Sequence, residues 1–247
     1  MSLPGWLYDL LMAPLDGLGL AGRRRRLMAR LAGQVLELGA GTGRNGRHHG
    51  AATVAVDRDL SFLKRAKEQG IRSELVCADA RELPFRDGTF DVAVESLVFC
   101  SLPEPDRCLA ELARVVRPDG EIRMLDHVLA QGRWARVQRA LAPAWLAFTG
   151  DCHLDRDVKG LVERGGLRIE RYEPGWAGWL QENRGQGVAG AALSHGESLS
   201  TRLRTRSRTT DSISMGLCCP VAMTSRGVFP WRMREAMGRA SGGPSCS

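Results

Sequence analysis

Residues 34–45, QVLELGAGTGRN, constrain the fold of this chain more than any other stretch. An apolar run ends in Glu37 and is followed by three glycines at alternate positions, Gly39, Gly41 and Gly43. A strand that turns sharply into a helix while its backbone approaches a ligand needs glycine, because a Cβ atom would block the turn or the ligand. The pattern therefore predicts a strand followed by a ligand-binding loop.

Short apolar runs and helix-like segments alternate along much of the chain. Apolar runs bounded by Gly, Asp or Pro are typical of buried parallel strands. Strands are predicted at residues 34–38, 53–56, 74–77, 90–94, 121–125 and 167–172, and helices at 60–69, 105–116 and 154–164. The RPDG sequence at residues 117–120 is predicted to end the second helix and form a turn. This order predicts an α/β fold with a mostly parallel sheet and helices on both faces.

The spacing of the glycines distinguishes two classes of ligand. A dinucleotide-binding loop has the pattern G-x-G-x-x-G, and counted from Gly39 its third glycine would fall on Arg44. Glu37 also argues against phosphate, because a carboxylate repels phosphate and attracts an ammonium or sulfonium group. The loop is therefore expected to bind a cationic ligand.

Two further acids follow predicted strands, at the edge where an open parallel sheet binds its ligand. Asp57 ends the second strand, where a carboxylate can accept hydrogen bonds from both hydroxyls of a ribose, and Asp79 follows the third strand. Each position also has a simpler interpretation. The neighbouring Asp59 can cap the next helix, and an isolated Asp at a strand end is usually a turn former.

Several stretches of the chain resemble the methyltransferase type 11 family, in particular its branch of small membrane-associated thiol methyltransferases. They are VLELGAGTG, VAVDRD, CADARELPFRDGTFDVAVESLVFCSL, LAELARVVRPDGEIRMLDHV and DCHLDRDVKGLVERGGLRIERYE. The resemblance covers roughly residues 13–173. It implies a Rossmann-like class I methyltransferase fold with a mostly parallel seven-stranded sheet, S-adenosylmethionine (SAM) as methyl donor, and a small acceptor.

The resemblance also implies a set of cofactor-binding residues at successive strand ends. In such enzymes a side chain at the position of Asp79 reaches the adenine amine, and the next backbone N–H, here that of Ala80, binds the ring. The implied set is Glu37, Gly39, Ala40, Gly41, Thr42, Gly43, Asp57, Arg58, Asp79, Ala80 and Ser96.

The predicted catalytic residues are Ser96, Asp126 and His127, at the ends of the fourth and fifth strands. Methyl transfer is an in-line displacement at a sulfonium, so a base is needed only when the acceptor carries a proton. His127 is the candidate base because histidine titrates near neutral pH. A structural histidine bonded to Asp126 or to backbone is the alternative, as is an ordinary turn serine for Ser96.

Composition limits the cellular setting and the partners. The chain carries a net charge of +7, but residues 181–247 hold nine Arg, no Lys and only four acids, so nucleic-acid binding is not expected. Seven cysteines without a C-x-x-C pair predict free thiols in a reducing cytosol and no metal site. Since no apolar run approaches the roughly 20 residues of a membrane-spanning helix and no signal peptide is recognisable, a cytoplasmic protein is expected.

Three regions are predicted: a helical cap at residues 1–30, the methyltransferase domain at 31–180, and a basic, poorly ordered tail at 181–247. The apolar stretch at residues 6–20 and the four arginines after it either cap the domain, with the arginines in solvent, or make peripheral contact with an anionic membrane through residues 6–26. The family's seventh strand is weak here, with a candidate at residues 188–193. The lysine-free tail suggests a frame-shifted end or an unrelated extension.

Trp134, Trp145 and Phe148 are candidates to line an apolar acceptor pocket, although core packing is the commoner role at such spacing. The predicted function is SAM-dependent methyl transfer to a small, apolar acceptor that bears a thiol, hydroxyl or amine. Two alternatives stay open: a carbon methyltransferase of quinone biosynthesis, and a catalytically silent SAM-binding protein that acts through partners.

Overall fold

The computed structural model describes residues 4–48, 53–130, 132–175, 180–186 and 221–223. The helices are α1 (Gly5–Leu15), α2 (Ala21–Leu27), α3 (Leu60–Glu68), α4 (Pro105–Val115), α5 (Arg133–Thr149) and α6 (Val158–Arg164). The strands are β1 (Val35–Leu38), β2 (Thr53–Asp57), β3 (Glu74–Cys77), β4 (Phe90–Ser96), β5 (Val116–His127), β6 (Arg168–Gly175), β7 (Leu180–Gln186) and β8 (Val221–Met223). A π-helical segment, Asp16–Leu20, joins α1 to α2, and a short 3-10 turn spans Gly46–His48.

The strands form one sheet in the order β6-β7-β5-β4-β1-β2-β3-β8. Strands β3, β2, β1, β4 and β5 are parallel, whereas β7 runs antiparallel between β5 and β6, and β8 pairs antiparallel with β3. The predicted α/β fold with a mostly parallel sheet is confirmed. Because strand order reverses between β1 and β4, the ligand crevice is expected outside the carboxyl ends of these two strands.

The seventh strand of the sheet is β7, which pairs with β5 from Glu121 to His127. It begins at the predicted end of the methyltransferase domain and lies just before the weak candidate at residues 188–193, a stretch outside the described residues. The open edge of β5 that would follow from a missing strand is therefore not present. Apart from β7 and β8, the predicted tail also lies outside the described residues.

The prediction for the RPDG sequence is confirmed for the helix stop, because α4 ends at Val115, but wrong for a turn between helix and strand. Strand β5 already pairs at Val116 with Phe90 and pairs again at Glu121 with Val92, so residues 117–120 bulge out of the ladder. A bulge tolerates Pro118, which cannot donate a ladder hydrogen bond. The long fifth strand therefore begins at the end of α4.

Side chains on the two faces of the sheet pack into separate apolar clusters. Leu36 and Leu38 of β1 lie in the large cluster that includes buried residues of α4 and α6. Val35, on the opposite face, packs with Leu20 and Leu27 of the N-terminal segment. Since side chains alternate along a strand, Glu37 points to the same face as Val35, toward the N-terminal helices.

The N-terminal segment caps this face of the sheet, but its arginines are not all in solvent as the cap interpretation predicted. Arg24 is buried, and its Nη1 donates to Asn45 Oδ1 at 3.2 Å, whereas Arg25 and Arg26 are exposed. None of the helices in the described ranges has both the length and the hydropathy needed to cross a bilayer.

Candidate active site

Gly39 and Gly41, in the loop after β1, differ in what surrounds them. Gly39 has φ +70°, and a Cβ built on it would lie 2.2 Å from Cγ2 of Val98, so a neighbouring side chain requires this glycine. Gly41 has φ +54° and nothing within 4 Å of a built Cβ. Open space in the loop therefore lies beside Gly41 rather than beside Gly39. The predicted ligand role fits Gly41 better than Gly39.

Asp57 is connected to this loop through its carboxylate. Oδ2 accepts from the backbone N–H of Gly41 at 2.8 Å, and Oδ1 accepts from that of Asp59 at 2.9 Å. Burial raises the pKa of Asp57, while these two backbone groups lower it. The capping role that the sequence suggested for the neighbouring Asp59 is also confirmed. Asp59 caps α3 by accepting a hydrogen bond from the backbone N–H of Ser61 at 2.8 Å.

Glu37 lies beneath the loop and is 1% exposed. One of its carboxylate oxygens accepts from Asn45 Nδ2 at 2.9 Å. Burial raises the pKa of Glu37 to about 8, against the hydrogen bond from Asn45 and the charge of Arg24, which both lower it. A cation bound nearby would favour the ionised form. The acid predicted to attract a cation is thus held largely neutral at pH 7.

The other predicted loop residues shape the turn and bind α1. The backbone N–H of Ala40 donates to Val56 O at 2.9 Å, and that of Gly43 donates to Ala40 O at 2.9 Å. The hydroxyl of Thr42 donates to Asp9 Oδ1 at 2.6 Å, a contact that sequence analysis missed.

Asp9 is the centre of the contact between α1 and the loop. It also accepts from Arg44 Nη1 at 3.0 Å and from Gln69 Nε2 at 3.0 Å, while Arg44 pairs with Asp16 on its other side. Nothing in the sequence pattern pairs these residues, because they are far apart in the chain. Helix α1 is therefore attached to the predicted cofactor loop through charged groups.

Tyr8, which is partly buried, and Arg24, which is buried, are two polar residues near this loop that sequence analysis did not assign to the site. The Tyr8 ring lies 5.4 Å from that of Phe62, and burial raises the pKa of its hydroxyl. Two buried atoms of Arg24, Nε and Nη2, have no hydrogen-bond partner among the described residues. Its Nε lies 3.6 Å from Asp16 Oδ1, beyond good hydrogen-bond distance.

The predicted adenine residues lie at the end of β3. Asp79 accepts hydrogen bonds from Nη2 of Arg81 at 2.6 Å, from its Nε at 3.0 Å and from its backbone N–H at 2.8 Å, and these hold the pKa of Asp79 below its usual value. Ala80 is buried. Arg58, the remaining member of the set, is largely exposed, with Nη2 3.9 Å from Asp151 Oδ2.

The end of β4 turns through an unusual backbone conformation. Leu97 has φ +61°, in the left-handed region that a branched residue rarely adopts. The preceding Ser96 is buried, and its Oγ has no hydrogen-bond partner among the described residues. Backbone strain and an unsatisfied hydroxyl at one strand end are typical of a functional site.

A buried pair of carboxyl groups supports this turn. Glu95 accepts from the backbone N–H groups of Val98 at 3.2 Å and Leu125 at 3.1 Å. Burial raises the pKa of Glu95 well above its usual range, and the adjacent Asp126 raises it further. Asp126 is fully buried and accepts from the backbone N–H of Cys100 at 3.1 Å. Asp126 therefore holds the backbone of the turn that follows β4.

His127, the predicted base, is next to two cysteines that sequence analysis did not place in the site. Its Nδ1 lies 3.3 Å from Cys152 Sγ, which in turn lies 3.7 Å from Cys100 Sγ. The hydrogen bond with Cys100 lowers the pKa of Cys152 to about 4, despite burial, and His127 lowers it too. The predicted bond from His127 to Asp126 does not appear among the hydrogen bonds of the described residues.

Of the three aromatic candidates, Trp145 alone is close to this cluster. Its ring packs edge-to-face on His127 with 6.1 Å between centroids. Trp134 and Phe148 are 42% and 61% exposed, so neither belongs to the packed core.

Comparison with known proteins agrees with the fold. The type 11 model of the methyltransferase domain matches residues 36–124. A SAM-dependent methyltransferase from Thermotoga maritima superposes with a TM-score of 0.53 at 15% identity, covering 74% of this chain and 99% of its own. The [4+2]-cyclase SpnF superposes with a TM-score of 0.55 at 18% identity, covering 75% and 95%. At these identities the likeness shows the fold alone.

Curated relatives share more of the sequence. A phosphatidylethanolamine N-methyltransferase from Cereibacter sphaeroides is 39% identical over 48% of this chain and 64% of its own length. A thiol S-methyltransferase from Homo sapiens is 32% identical over 59% and 67%. A demethylmenaquinone methyltransferase from Renibacterium salmoninarum is 34% identical over 47% and 52%. The chain thus spans about half to two thirds of the length of these relatives. It belongs to the class I SAM-dependent methyltransferases with a type 11 methyltransferase domain.

Proposed function

We propose that this protein transfers the methyl group of SAM to a small, apolar acceptor, with a thiol as the first candidate and a hydroxyl or amine next. The observation that carries the proposal is the open space beside Gly41, next to the carboxylate of Asp57 and above the buried carboxyl of Glu37. Carboxyl groups around a glycine loop favour a cationic ligand over a phosphate, and SAM is a sulfonium with an ammonium group.

In this proposal the ribose, adenine, ammonium and carboxylate groups of SAM each have a protein partner. Asp57 accepts the ribose hydroxyls, the backbone beside Asp79 and Ala80 binds the adenine, and Glu37 ionises as the ammonium group approaches. Nε and Nη2 of Arg24, which have no hydrogen-bond partner among the described residues, bind the carboxylate of the methionine moiety, because a buried donor left without a partner costs about 1–3 kcal/mol.

The acceptor is proposed to bind at the ends of β4 and β5, beside Ser96 and His127. An in-line displacement depends mainly on alignment of the acceptor with the methyl group. The unpartnered hydroxyl of Ser96 is available to orient the acceptor or the methyl group. His127 is the candidate base, and Asp126 acts as a positioning residue through the backbone of Cys100.

A thiol is the favoured acceptor for two reasons. Thiols ionise near pH 8.5 and need little help from a base, and the described site offers one imidazole rather than an exposed, strongly basic pair. The human thiol S-methyltransferase is also the one of the three named relatives of which this chain covers the largest share. The quinone and phosphatidylethanolamine enzymes among the relatives make carbon and amine acceptors the alternatives.

The first test is calorimetric titration of the full chain with SAM and with its demethylated product, S-adenosylhomocysteine. We expect micromolar binding that is lost in Asp57→Ala and kept in the matched control Asp59→Ala, which removes the cap of α3. Equal binding by the parent and Asp57→Ala would contradict the assigned cofactor site.

Turnover is then measured with an alkyl thiol, a reduced quinone and phosphatidylethanolamine vesicles as acceptors. Methylation of the thiol supports the proposal, and methylation of another acceptor alone selects one of the alternatives. Tight SAM binding with no turnover on any acceptor would support the rival function, a catalytically silent protein that acts through partners.

We further propose that the protein is cytoplasmic and contacts anionic membranes through residues 6–26. Trp6, Leu10 and Leu18 are each more than 60% exposed, and Arg25 and Arg26 are exposed nearby in the chain. Apolar side chains beside basic ones favour an anionic bilayer surface. Sedimentation with phosphatidylserine vesicles at low salt should pellet the parent but not a Trp6→Ser, Leu10→Ser, Leu18→Ser variant. A parent that stays in the supernatant would contradict the contact.

A further inference from the structure

Cys100, His127 and Cys152 form a compact cluster of metal-ligand side chains beside the proposed acceptor site. Each offers one ligand atom, and the three atoms all lie within 4.8 Å of one another. Cys100 is fully buried, Cys152 is 9% exposed, and His127 is half-buried. The proposed methyl transfer needs no covalent intermediate and makes no use of the two thiols, so their convergence calls for a separate explanation.

Two of the three distances between ligand atoms match the edges of a tetrahedral site, and the third, from Cys100 to His127, is within 4.8 Å. Two thiolates bound at about 2.3 Å to a tetrahedral zinc ion are about 3.8 Å apart, and a thiolate and an imidazole nitrogen about 3.5 Å. The two sulfurs here are 3.7 Å apart, and His127 Nδ1 lies 3.3 Å from Cys152 Sγ. A single ion can therefore bind with little movement of these three side chains.

The backbone around the cluster is held by hydrogen bonds between the segments that carry the ligands. The N–H of His153 donates to Cys100 O at 2.8 Å, which places the loop before α6 against the end of β4. Arg156 Nη1 donates to Phe99 O at 2.6 Å and to Leu102 O at 2.6 Å, which strengthens the same contact. Metal sites need ligands held in place by such supporting bonds.

A second feature is the indole N–H of Trp145. Its Nε1 is buried and has no hydrogen bond of ordinary geometry among the described residues. The indole ring packs edge-to-face on His127 with 6.1 Å between centroids, so this N–H belongs to a ring in contact with one of the three ligands. Polar groups around the ligands are the usual outer partners of metal sites.

We propose that Cys100, His127 and Cys152 bind a thiophilic divalent cation, represented by Zn²⁺, through two thiolates and one imidazole nitrogen. Two thiolates, a neutral imidazole and a divalent cation have no net charge, so the occupied site is compatible with burial. Binding displaces the thiol protons that remain in the free cluster to solvent, and no oxidant or reductant is involved. Three protein ligands leave one tetrahedral position for water or an exogenous thiol.

The metal site does not depend on the proposed methyl transfer, but both use the imidazole of His127, so the base role belongs to the metal-free protein alone. The prediction of no metal site from sequence rested on the absence of closely spaced cysteine pairs, whereas these ligands come from the β4 turn, the end of β5 and the loop before α6. Only the fold brings them together.

The test uses the reduced, chelator-treated full chain in which Cys218, Cys219 and Cys246 are replaced by Ser, so that tail thiols cannot contribute. Co²⁺ is the spectroscopic probe. We expect one Co²⁺ per chain, with d–d bands of tetrahedral intensity and a charge-transfer absorption corresponding to two thiolates, both abolished by Zn²⁺. Zn²⁺ should also raise the unfolding temperature, because it binds the folded state.

Cys152→Ser and Cys100→Ala should each weaken Co²⁺ binding by at least about 100-fold, since outer partners alone contribute about 10–100-fold. The matched control is Cys108→Ser, a buried cysteine of α4 outside the cluster. An octahedral Co²⁺ spectrum of the parent chain, without thiolate charge transfer, would overturn the proposal. This result does not depend on whether the variants fold. Equal affinity in the Cys108 and Cys152 variants would also overturn it.

Discussion

Glu37 combines full burial with a carboxyl group whose ionisation a bound cation should control. Its pKa is raised to about 8, so at pH 7 it is mostly neutral in the free protein. Because the ammonium group of SAM favours the carboxylate, we expect SAM affinity to rise with pH by up to about tenfold per unit below pH 8 and then level off. Calorimetry at pH 6, 7 and 8 in buffers of different ionisation enthalpy should detect the released proton. A flat profile would argue that Glu37 does not face the cofactor.

The same group predicts how the stability of the free protein depends on pH. The pKa of Glu37 is raised from 4.5 when unfolded to about 8 when folded, so its neutral form stabilises the fold below pH 4.5. This contribution is lost as pH rises toward 8, by on the order of 1 kcal/mol per unit. Glu37→Gln should therefore gain stability relative to the parent between pH 5 and 8 in urea titrations. A constant difference over this range would contradict the raised pKa.

Substitutions at Gly39 and Gly41 should separate the effect of packing on stability from the effect of the loop on SAM binding. Gly39→Ala places a Cβ 2.2 Å from Val98 at a positive φ, so a loss of about 3 kcal/mol of stability is expected. Gly41→Ala meets no protein atom within 4 Å, so its cost is about 1 kcal/mol. Its main effect should be a loss of SAM affinity. Urea unfolding and calorimetry of both variants test this, and the reverse order of effects would show that the ligand space is misplaced.

At the level of single residues, the sequence predicted which residues stand at the strand ends better than it predicted what surrounds their side chains. The glycine loop, Asp57 and the strand-end His127 were identified from local spacing, because a strand-loop-helix unit is a short stretch of chain. The buried state of Glu37, the bond of Asp57 to Gly41 and the Cys100–His127–Cys152 cluster were not, since they depend on contacts between distant segments. His127 illustrates the difference: its position was predicted, and its sulfur neighbour was not.

Helix α1 is the element whose role depends most on a few charged contacts. Asp9 accepts from Thr42, Arg44 and Gln69, so Asp9→Asn should weaken the attachment of α1 to the glycine loop. We expect SAM affinity to fall severalfold and tryptic cleavage at residues 23–26 to become faster. The matched control is Asp119→Asn, an exposed acid in the β5 bulge. Equal proteolysis rates in the two variants would show that Asp9 does not hold the helix.

Elements were predictable where apolar periodicity and burial agree. The predicted strand at residues 74–77 coincides with β3, and α3 and α4 end one residue before their predicted limits. Strand β7, with the sequence LQENRGQ, has no apolar alternation and is specified by its pairing with β5 and β6 on either side. The β5 bulge was misread because Pro-Asp-Gly favours a turn and a bulge alike.

On the scale of the whole molecule, the sheet should depend on β7 more than on the chain beyond it. A chain ending at residue 186 keeps β7 and loses the three-residue β8, whereas one ending at 179 loses the strand between β5 and β6. We expect the longer chain to unfold cooperatively and the shorter to aggregate through the open edge of β5. Circular dichroism melting and size-exclusion chromatography distinguish them. Cooperative unfolding of the shorter chain would mean that β7 is dispensable.

The contact of α1 with the glycine loop also has a kinetic consequence. A cofactor seated beside Gly41 lies next to the loop that Asp9 holds, so its departure requires these hydrogen bonds to loosen. Release of S-adenosylhomocysteine, rather than the methyl transfer, is then expected to limit the steady-state rate, with a burst of product in the first turnover. Because salt weakens partly exposed ion pairs such as that of Asp9 and Arg44, moderate ionic strength should speed each cycle by shortening the residence time of the spent cofactor.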